Sequence, residues 1–394
     1  MDLHFTADEL TFRDEVRTWL AEHVPTEPRP HGDEPDSRDF DLAWLRAQYD
    51  GGWAGISWPA EYGGRGLSTI QQLIWYEEYA RVEAPWIGAC FVGINHGGPT
   101  LIARASEEQK AFHLPRILRG EVVWCQGFSE PDAGSDLASL KTRAVVDGDE
   151  LVVTGQKIWT SFAHLADHQE LLLRTDPESS RHKGLTWVIC DMHAPGITVR
   201  QIPTLDRGAE FCEVFYDEVR IPVANVVGDI GDGWSVAMST LSLERGTGFL
   251  AEIIHTMQLI DSLIDEARHR TGPDGRRSVL ADDEYARRLG ALKSEITVLR
   301  SAAYRAISRN QRTGAPGPEG SMLRLAYGNL LQALTRLAMD ILGPDALAYV
   351  DRFRAGGWTG TWLRSFAAGM GGGTFEIQRT IIGERVLGLP RDRS

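Results

Sequence analysis

The chain has 394 residues, of which 42% are apolar and 24% are charged, so it is long enough for two or three globular domains. Its formal net charge of -14 argues against a nucleic-acid-binding surface, which requires clustered basic side chains. Charged residues interrupt every apolar run before membrane-spanning length, and no charged-then-apolar leader opens the chain, so we expect neither a membrane span nor secretion.

The four cysteines, Cys90, Cys125, Cys190 and Cys212, are scattered along the chain. They form no CxxC pair and have no metal-ligand spacing, so the sequence predicts no metal site. We expect them to be buried free thiols, which fit the reducing cytoplasm.

The first third of the chain predicts helices. Thr6 and Glu9 form a capping box, and apolar residues then recur on one helical face until Pro25. Further helices are predicted for residues 68–82 and, from residue 107, up to about residue 119. Between the helices lies a segment rich in glycine and tryptophan, residues 52–66, which fits either a packed connection or a wall of a substrate pocket.

From residue 122 to about residue 222 the apolar period changes toward two. Asp147 and Gly148 give the turn signal of a hairpin within this region. The region therefore predicts a small antiparallel sheet or barrel. Short apolar runs bounded by glycine and proline predict strands at residues 151–153, 171–173, 185–190, 197–202 and 213–216.

A polar break, SEPDAGSD, lies between the first strand of this region and the hairpin. It begins at Ser129, and Ser135 adds a second hydroxyl, while Gly134 permits another group to approach the backbone closely. Trp159 and Ser161, at the far end of the hairpin, add a flat aromatic face and a third hydroxyl. This set of groups predicts a site for a planar heteroaromatic cofactor.

After residue 233 the helical period returns. The glycine cluster at residues 369–374 lacks the preceding strand of a dinucleotide fingerprint and the lysine of a phosphate loop. It fits either a flexible turn or a set of backbone N–H groups that meet a phosphate or a flavin edge. The predicted helices of this part are residues 235–268, 283–312, 323–342, 361–367 and 376–387.

The chain thus predicts helices, then a sheet, then helices again. Within this order it contains three motifs, which are SEPDAGSD, GQKIWTS and GGGTFEIQRTIIGERVLGLPR. In sequence and spacing they resemble the acyl-CoA dehydrogenase family of flavoproteins, and the resemblance covers essentially the whole chain. It implies an α+β fold with an N-terminal helical domain (residues 1–121), a middle antiparallel β-barrel or sheet domain (122–230) and a C-terminal four-helix bundle (231–394).

The same resemblance implies a reaction, a cofactor and partners. Family members use FAD to remove two hydrogens from an acyl-CoA thioester, which gives a trans-2-enoyl-CoA, and they pass the electrons to an electron-transfer flavoprotein or a related acceptor. By motif position, the implied flavin contacts are Gln126, Phe128, Ser129, Gly134, Ser135, Trp159, Ser161, Thr374 and Glu376. The implied substrate contacts are Ser135, Ser242, Arg245 and Gly373.

Oxidation at C2 and C3 needs a carboxylate that takes the C2 proton. In many family members this glutamate stands immediately before the Gly-Thr of the C-terminal motif, where this chain has Gly372. The segment LSLERGT resembles instead the isovaleryl-type and steroid side-chain members, whose base lies on an inner helix, and Glu244 matches that position. Although Glu244 also fits a solvated helix face, it lies in an apolar line with Met238 and Leu241, so we expect it to be the base.

Two segments depart from the pattern of many homotetrameric members. Residues 269–274 and 342–347 replace an Arg-x-x-Phe-Gly segment and a Gly-Gly-Asn-Gly turn that help to hold FAD across a subunit interface. This departure resembles actinobacterial-type members that act on bulky or steroid-derived thioesters, some of which are mixed oligomers. We expect a homodimer, a homotetramer or one half of a heteromer.

Three alternatives to an active acyl-CoA dehydrogenase stay open. The chain also fits a non-catalytic partner subunit that completes the flavin site of another chain. It fits a dehydrogenase of a carrier-protein-bound acyl thioester, and, more weakly, a flavin oxygenase on the same scaffold. The oxygenase would need no carboxylate base at Glu244.

Overall fold

The computed structural model describes residues 5–32, 34, 36–179, 181–243, 249–313, 317, 319–352 and 356–390. The backbone groups into two compact units. The first contains residues 1–68 and 82–244, and the second contains residues 69–81 and 245–394. The division into three domains at residues 121 and 230 stays a prediction, and the two units follow other boundaries.

The first unit begins with helices close to the predicted ones. Helix α1 (Ala7–His23) starts at the capping box of Thr6 and Glu9 and buries Phe12, Val16 and Leu20. Helix α3 (Thr69–Arg81) belongs to the second unit. The other helices described in the first unit are α2 (Asp36–Asp50), α4 (Gly98–Arg104), α5 (Glu107–Leu118) and α6 (Gly233–Leu243).

The segment 52–66 is a packed connection. Trp53 and Trp58 are both buried, and the indole N–H of Trp58 donates to the carbonyl of Ile94 at 2.9 Å. A Cβ atom on Gly64 would lie 2.3 Å from the carbonyl oxygen of Trp58, so the loop closes tightly on itself. Of the two sequence interpretations, these contacts support the packed connection.

The middle region forms a sheet of seven strands in the described part of the chain. The strand order is β1-β4-β2-β3-β7-β6, and β5 pairs with β4. The predicted hairpin is confirmed, since Asp147 pairs with Glu150 across a turn in which Gly148 has a φ of +64°. The strands are β1 (Trp124–Gly127), β2 (Arg143–Asp147), β3 (Glu150–Ser161), β4 (His168–Arg174), β5 (Leu185–Asp191), β6 (Ile197–Ile202) and β7 (Phe211–Pro222).

One pairing corrects the prediction of an antiparallel sheet. Strand β1 runs parallel to β4, and β2 meets the end of β4 in the parallel sense at Arg143 and Arg174. The chain between β1 and β4 contains the whole β2–β3 hairpin, which is the long connection that a parallel pair requires. An apolar period of two indicates strands but not their direction, so the sequence did not reveal this pairing.

Both faces of the strand pair β4–β5 are buried. Leu172 and Trp187 join a core with the helices, whereas Leu171 and Val188 join a core formed mainly by the sheet. Side chains along a strand alternate between the two faces, and a strand buried on both sides reads as a continuous apolar run, as LLL does in β4. The same alternation places Glu170 on the face that packs against the helices.

The prediction of buried free thiols is confirmed for all four cysteines. Burial raises the pKa of Cys190 to about 12 and that of Cys212 to about 11, and it raises the pKa values of Cys90 and Cys125 further. Within the described ranges, no group of three acidic, histidine or cysteine side chains has a metal-binding arrangement. No described helix is long and apolar enough to cross a membrane.

The second unit is the predicted helical bundle, and α3 adds a helix from earlier in the chain. The long helices α7 and α9 each pack on α8, and α3 packs against α7 and α8. The amide of Gln258 on α7 donates to the carbonyl of Ala80 on α3 at 2.7 Å. The helices are α7 (Phe249–His269), α8 (Asp283–Thr313), α9 (Glu319–Leu342), α10 (Trp358–Ser365) and α11 (Phe375–Ile381).

Candidate functional site

A buried ion pair anchors the SEPDAGSD loop to the sheet. Lys157 on β3 is fully buried, and its ammonium donates to Oε1 of Glu130 and to the backbone carbonyl of Phe128, each at 2.9 Å. Glu130 also accepts from the backbone N–H groups of Lys141 and Thr142, at 2.6 and 2.8 Å. One carboxylate therefore ties the start of the loop to the residues that follow it.

Each member of this pair favours the charged form of the other. Burial lowers the pKa of Lys157 to about 8, and the carboxylate of Glu130 limits the decrease. Burial alone would raise the pKa of Glu130, but the Lys157 ammonium and the hydrogen bonds from Thr142 and Lys141 lower it below the ordinary value. The pair thus satisfies the usual requirement that a buried charge has a partner.

Trp159 is held outward at a bulge in β3. The register between β3 and β7 shifts between Lys157 and Thr160, and Trp159 has a φ of +61°. A left-handed backbone costs a residue with a side chain about 1–2 kcal/mol. The indole is nevertheless 56% exposed, and only its edge approaches Phe211, at a ring centroid distance of 6.2 Å. Bulges near active sites often redirect a side chain, and strained backbone is common at functional sites. The bulge at Trp159 has both properties, since it directs a flat ring into open space.

Three hydroxyl groups in the two motifs keep free hydrogen-bonding capacity. Those of Ser129, Ser135 and Ser161 form no hydrogen bond to any residue of the described ranges. The backbone N–H of Ile158 donates to the carbonyl of Ser129 at 2.9 Å, which holds the first motif against the second. A Cβ on Gly134 would meet no described atom within 4 Å, so the space beside it is open.

These groups fit the isoalloxazine ring of FAD. The ring is planar and carries several hydrogen-bond acceptors along one edge, and the chain offers an aromatic face on β3 and unpartnered hydroxyl donors on the SEPDAGSD loop and at the end of β3. Phe128 is buried in the core, whereas Gln126 is half-buried. The amide Nε2 of Gln126 donates to Oε1 of Glu170 at 2.9 Å.

The C-terminal motif forms a turn and a short helix in the second unit. Thr374 caps α11, since its hydroxyl accepts from the backbone N–H of Ile377 at 3.3 Å. Glu376 is exposed in the first turn of α11 and pairs with Arg379 at 3.2 Å. Before the cap, Gly373 has a φ of +93°, a conformation that favours glycine.

Gly372, at the position of the usual base, stands next to an arginine. Gly372 has a φ of +64°, and a Cβ there would lie 3.6 Å from Nη2 of Arg324. The same Nη2 donates to the carbonyl of Gly371 at 2.6 Å, and Nη1 lies 3.7 Å from the carboxylate of Glu252. The turn is therefore held by a cation and offers no carboxylate of its own.

The expected base lies outside the described residues, as does Arg245. The backbone of Ser242 belongs to the last turn of α6, but its side chain is also outside the described part. The predicted helix at residues 235–268 corresponds to α6 and α7, with residues 244–248 between them. The roles of Glu244, Ser242 and Arg245 therefore stay predictions.

The structure places the predicted site residues in two groups. The first unit holds the set along β1, the SEPDAGSD loop and the end of β3: Gln126, Phe128, Ser129, Gly134, Ser135, Trp159 and Ser161. The second unit holds Gly373, Thr374 and Glu376 at the start of α11. Asp136, in the SEPDAGSD loop, and Lys141, after it, both have exposed side chains.

The sequence analysis missed three buried charged residues, Lys157, Glu130 and Glu170. A lysine or glutamate is rarely buried without a specific partner, but these partners lie in other segments of the chain, so the local sequence did not indicate the burial. Glu170 stands immediately before the apolar run of β4, and Lys157 stands in the long strand β3.

Comparison with known proteins covers nearly the whole chain. Family models of the acyl-CoA dehydrogenase N-terminal, middle and C-terminal domains match residues 6–121, 125–219 and 231–387. The chain is 39% identical to acyl-CoA dehydrogenase IpdE1 of Mycobacterium tuberculosis, over 97% of this chain and 98% of that protein.

Two solved structures are similar over their full length. The Tcur3481-Tcur3483 steroid ACAD has a TM-score of 0.87 at 31% identity, and the ChsE4-ChsE5 complex from Mycobacterium tuberculosis has a TM-score of 0.82 at 30% identity. In each case the match covers 100% of both chains. The fold and the resemblance of the three motifs are thereby confirmed, and the chain belongs to the acyl-CoA dehydrogenase family, whose members are FAD-dependent oxidoreductases acting on CH–CH bonds.

Proposed function

We propose that this chain oxidises an acyl-CoA thioester to the trans-2-enoyl-CoA with Glu244 as the base. The observation that carries the proposal is the Trp159 ring, held outward on a strained backbone beside the unpartnered hydroxyls of Ser129 and Ser161. Gly372 supports the choice of base, because the residue at this position has no side chain and a Cβ there would lie next to the guanidinium of Arg324. Glu244 is the carboxylate that the sequence provides in its place.

In the proposed reaction the side chains of this chain bind the substrate, orient the flavin and take up a proton. The thioester acidifies the C2 proton, which Glu244 takes onto its carboxylate as the C2–H bond breaks. FAD, when bound, supplies the acceptor for the hydride that leaves C3. In the first unit, Ser135 and Ser242 are proposed to bind the substrate, while Ser129 and Ser161 orient the flavin with Trp159. In the second unit, Arg245 and Gly373 are proposed substrate contacts. Thr374 and Glu376 complete the proposed flavin contacts.

The change Glu244→Gln tests the base. It keeps the size of the side chain and removes its basicity, so we expect the rate of flavin reduction by substrate to fall about 10²–10⁴-fold while FAD stays bound. The matched control is Glu252→Gln, because this carboxylate on α7 lies 3.7 Å from Nη1 of Arg324, which holds the Gly372 turn. Bleaching of the flavin at an unchanged rate in Glu244→Gln, or an equal loss in the control, would move the base away from Glu244.

A second candidate function is that of one subunit in a heteromer. Arg270 lies in the first of the two segments that depart from homotetrameric members. Its guanidinium donates to Glu266 at 2.9 Å, to Asp345 at 2.6 Å and to the carbonyl of Leu342 at 3.4 Å. Asp345 and Leu342 belong to the second departing segment, so the two segments bind each other. Because Arg270 is engaged within its own chain, we infer that these segments do not hold the flavin of an identical subunit. This supports a flavin site that a different partner chain completes.

The two candidates differ in what the purified chain binds alone. An independent enzyme is expected to be yellow, to contain FAD and to sediment as a homodimer or homotetramer. A chain that is colourless and takes up FAD only with a second polypeptide supports the heteromer, either as the catalytic subunit or as its non-catalytic partner. The Glu244→Gln change in the assembled heteromer then distinguishes these two roles.

For the substrate we propose a bulky, steroid-derived acyl group. The support is the similarity to a solved steroid ACAD. Straight-chain, branched and steroid-derived CoA thioesters should be compared by kcat/KM with an artificial electron acceptor, together with the best acyl group on a carrier protein. A preference for straight chains would contradict the proposal, and a preference for the carrier-bound form would favour the carrier-protein alternative. We propose an electron-transfer flavoprotein as the natural acceptor, tested by replacing the artificial one.

A further inference from the structure

A buried carboxyl group on β4 lies beside the predicted flavin site and is not needed for the proposed proton transfer. Glu170 has no exposed surface. Its Oε1 accepts from Nε2 of Gln126 at 2.9 Å, and Nδ1 of His96 lies 3.8 Å from the same oxygen. Gln126, Glu170 and His96 are thus neighbours in one cluster of the first unit.

The parallel pairing of β1 with β4 brings Gln126 and Glu170 together. The two residues are direct partners in the register, so their side chains leave the sheet on the same face. The neighbouring Gln169 points to the opposite face, where it accepts a hydrogen bond from Tyr216. A shift by one residue would exchange these two faces, so the position of Glu170 beside Gln126 is fixed by the sheet.

His96 does not act as a cation for Glu170. Burial lowers the pKa of His96 to about 4, so its ring is neutral at neutral pH. Its ring packs edge-on against Phe91, with the ring centroids 5.1 Å apart. The Gln126 amide donates a well-placed hydrogen bond to the Glu170 carboxyl oxygen, at an ordinary distance.

The bond to Glu170 determines which end of the Gln126 amide is available. An amide has a donor end and an acceptor end of almost equal shape, and rotation by half a turn exchanges them. Because Nε2 is engaged by Glu170, Oε1 is the end left over, and it forms no hydrogen bond to a described residue. Against an unprotonated carboxylate oxygen, the reversed amide would place two oxygen acceptors next to each other, which is unfavourable in a buried site.

We propose that Glu170 is a positioning residue that fixes the Gln126 amide with its carbonyl oxygen, rather than its NH₂ group, toward the flavin. This inference rests on the proposed flavin contact of Gln126. An acceptor at this place complements a ring N–H group of the cofactor. Such an acceptor also disfavours negative charge on the ring. Because reduction increases that charge, the acceptor makes the reduction potential more negative. Glu170 therefore tunes both the affinity for FAD and the reduction potential of the bound flavin.

The test compares Glu170→Met, Gln126→Leu and the double variant in the holoprotein, or in the assembled heteromer if FAD requires it. The measurements are the Kd of FAD, the reduction potential and the visible spectrum of the bound flavin. Glu170→Met removes the acceptor and frees the amide to rotate, so we expect FAD to bind about threefold to tenfold more weakly. We also expect a more positive potential. In the Gln126→Leu background the same change should have no further effect on either quantity.

Two controls separate positioning from general stability. Glu170→Gln keeps the size of the side chain but offers either an oxygen or an NH₂ group to the Gln126 amide, so it weakens the preference for one orientation. Its Kd and potential should lie between those of the wild type and of Glu170→Met. Gln156 and Glu213 form a matched glutamine–glutamate pair in the same sheet, with Nε2 donating to Oε1 at 3.0 Å, and Gln156→Leu should not move the potential. If Glu170→Met does not fold, Glu170→Asp replaces it, because the shorter side chain withdraws the acceptor.

The results that overturn this inference differ from those that overturn the proposed function. A wild-type protein that binds no FAD in any assembly contradicts the flavin site itself. If the wild type binds FAD, the positioning role fails when Glu170→Met leaves Kd and potential unchanged, or when its effect is the same with Leu at position 126. A shift of potential in Glu170→Gln as large as in Glu170→Met would assign the effect to charge instead.

Discussion

At the scale of single residues, the ion pair of Lys157 and Glu130 controls the shape of the SEPDAGSD loop. Lys157 reaches the loop from β3 and bonds both the Glu130 carboxylate and the carbonyl of Phe128. Its loss leaves a buried carboxylate without its charge partner. The side chain exposure is 0% for Lys157 and 7% for Glu130, so water does not readily replace the missing ammonium.

The change Lys157→Met is therefore expected to lower the free energy of unfolding by about 3–5 kcal/mol, which is typical when one partner of a buried ion pair is removed. FAD content should fall with it, because the loop that carries Ser129 and Ser135 loses its anchor. Urea denaturation and the flavin absorbance of the purified protein provide the measurements. The control Lys141→Met alters a lysine that is 76% exposed and should stay within about 0.5 kcal/mol of wild type. Equal effects of the two changes would contradict the role of the pair.

His113 makes stability depend on pH. Burial, together with the charges of His168 and Arg116, lowers the pKa of His113 from 6.5 to about 4. The unfolded chain thus binds a proton that the folded chain does not, so the stability present above pH 6.5 is lost as pH falls through about 4. Between pH 7 and pH 5 this residue alone should remove about 2 kcal/mol of stability.

The change His113→Phe is expected to abolish this contribution, because phenylalanine keeps an aromatic ring beside Trp124 and has no titrating group. Urea denaturation at pH 7 and at pH 5 should show a difference between the two pH values that is about 2 kcal/mol smaller in the variant. The exposed control His269→Gln should leave the difference unchanged. An identical pH dependence in wild type and His113→Phe would show that His113 does not remain neutral in the folded protein.

At the scale of secondary-structure elements, the bulge in β3 presents a ring that is proposed to bind FAD but contributes little to the stability of the fold. Trp159 is 56% exposed, so its ring contributes little to the core of the chain without FAD. The change Trp159→Ala should leave the thermal unfolding midpoint of the FAD-free protein almost unchanged. It should weaken FAD binding by about 1 kcal/mol, or roughly fivefold, the typical value of one aromatic contact. Trp159→Phe should retain most of the affinity, and a large fall in the FAD-free midpoint would identify Trp159 as a core residue instead.

The same element shows what the sequence could and could not predict. The Asp147–Gly148 turn and the apolar alternation predicted the hairpin because both signals are local. The burial of Lys157 depends on Glu130, which lies in a different segment, so a lysine in a strand looked like an ordinary solvated residue. The parallel contact of β1 with β4 is likewise non-local, and without it the pairing of Gln126 with Glu170 was not visible.

At the scale of the whole molecule, Arg270 is a sensitive indicator of how the chain assembles. If Arg270 binds only Glu266, Asp345 and Leu342 of its own chain, Arg270→Met should leave the FAD content and the sedimentation coefficient unchanged. The pair with Asp345 is partly exposed, and such pairs contribute about 0–1 kcal/mol, so the loss of stability should be small. A loss of FAD in the variant would show that Arg270 contacts a flavin across an interface, as in homotetrameric members.

The four cysteines give the chain its own reporter of opening motions. Cys125, Cys190 and Cys212 lie on β1, β5 and β7, and the raised pKa values leave almost no reactive thiolate in the folded protein. A thiol reagent can therefore label a strand only after that part of the sheet has become accessible to solvent. The order in which the labels appear in the native chain would record which strands separate first, and saturation with FAD would show which of those events the cofactor suppresses.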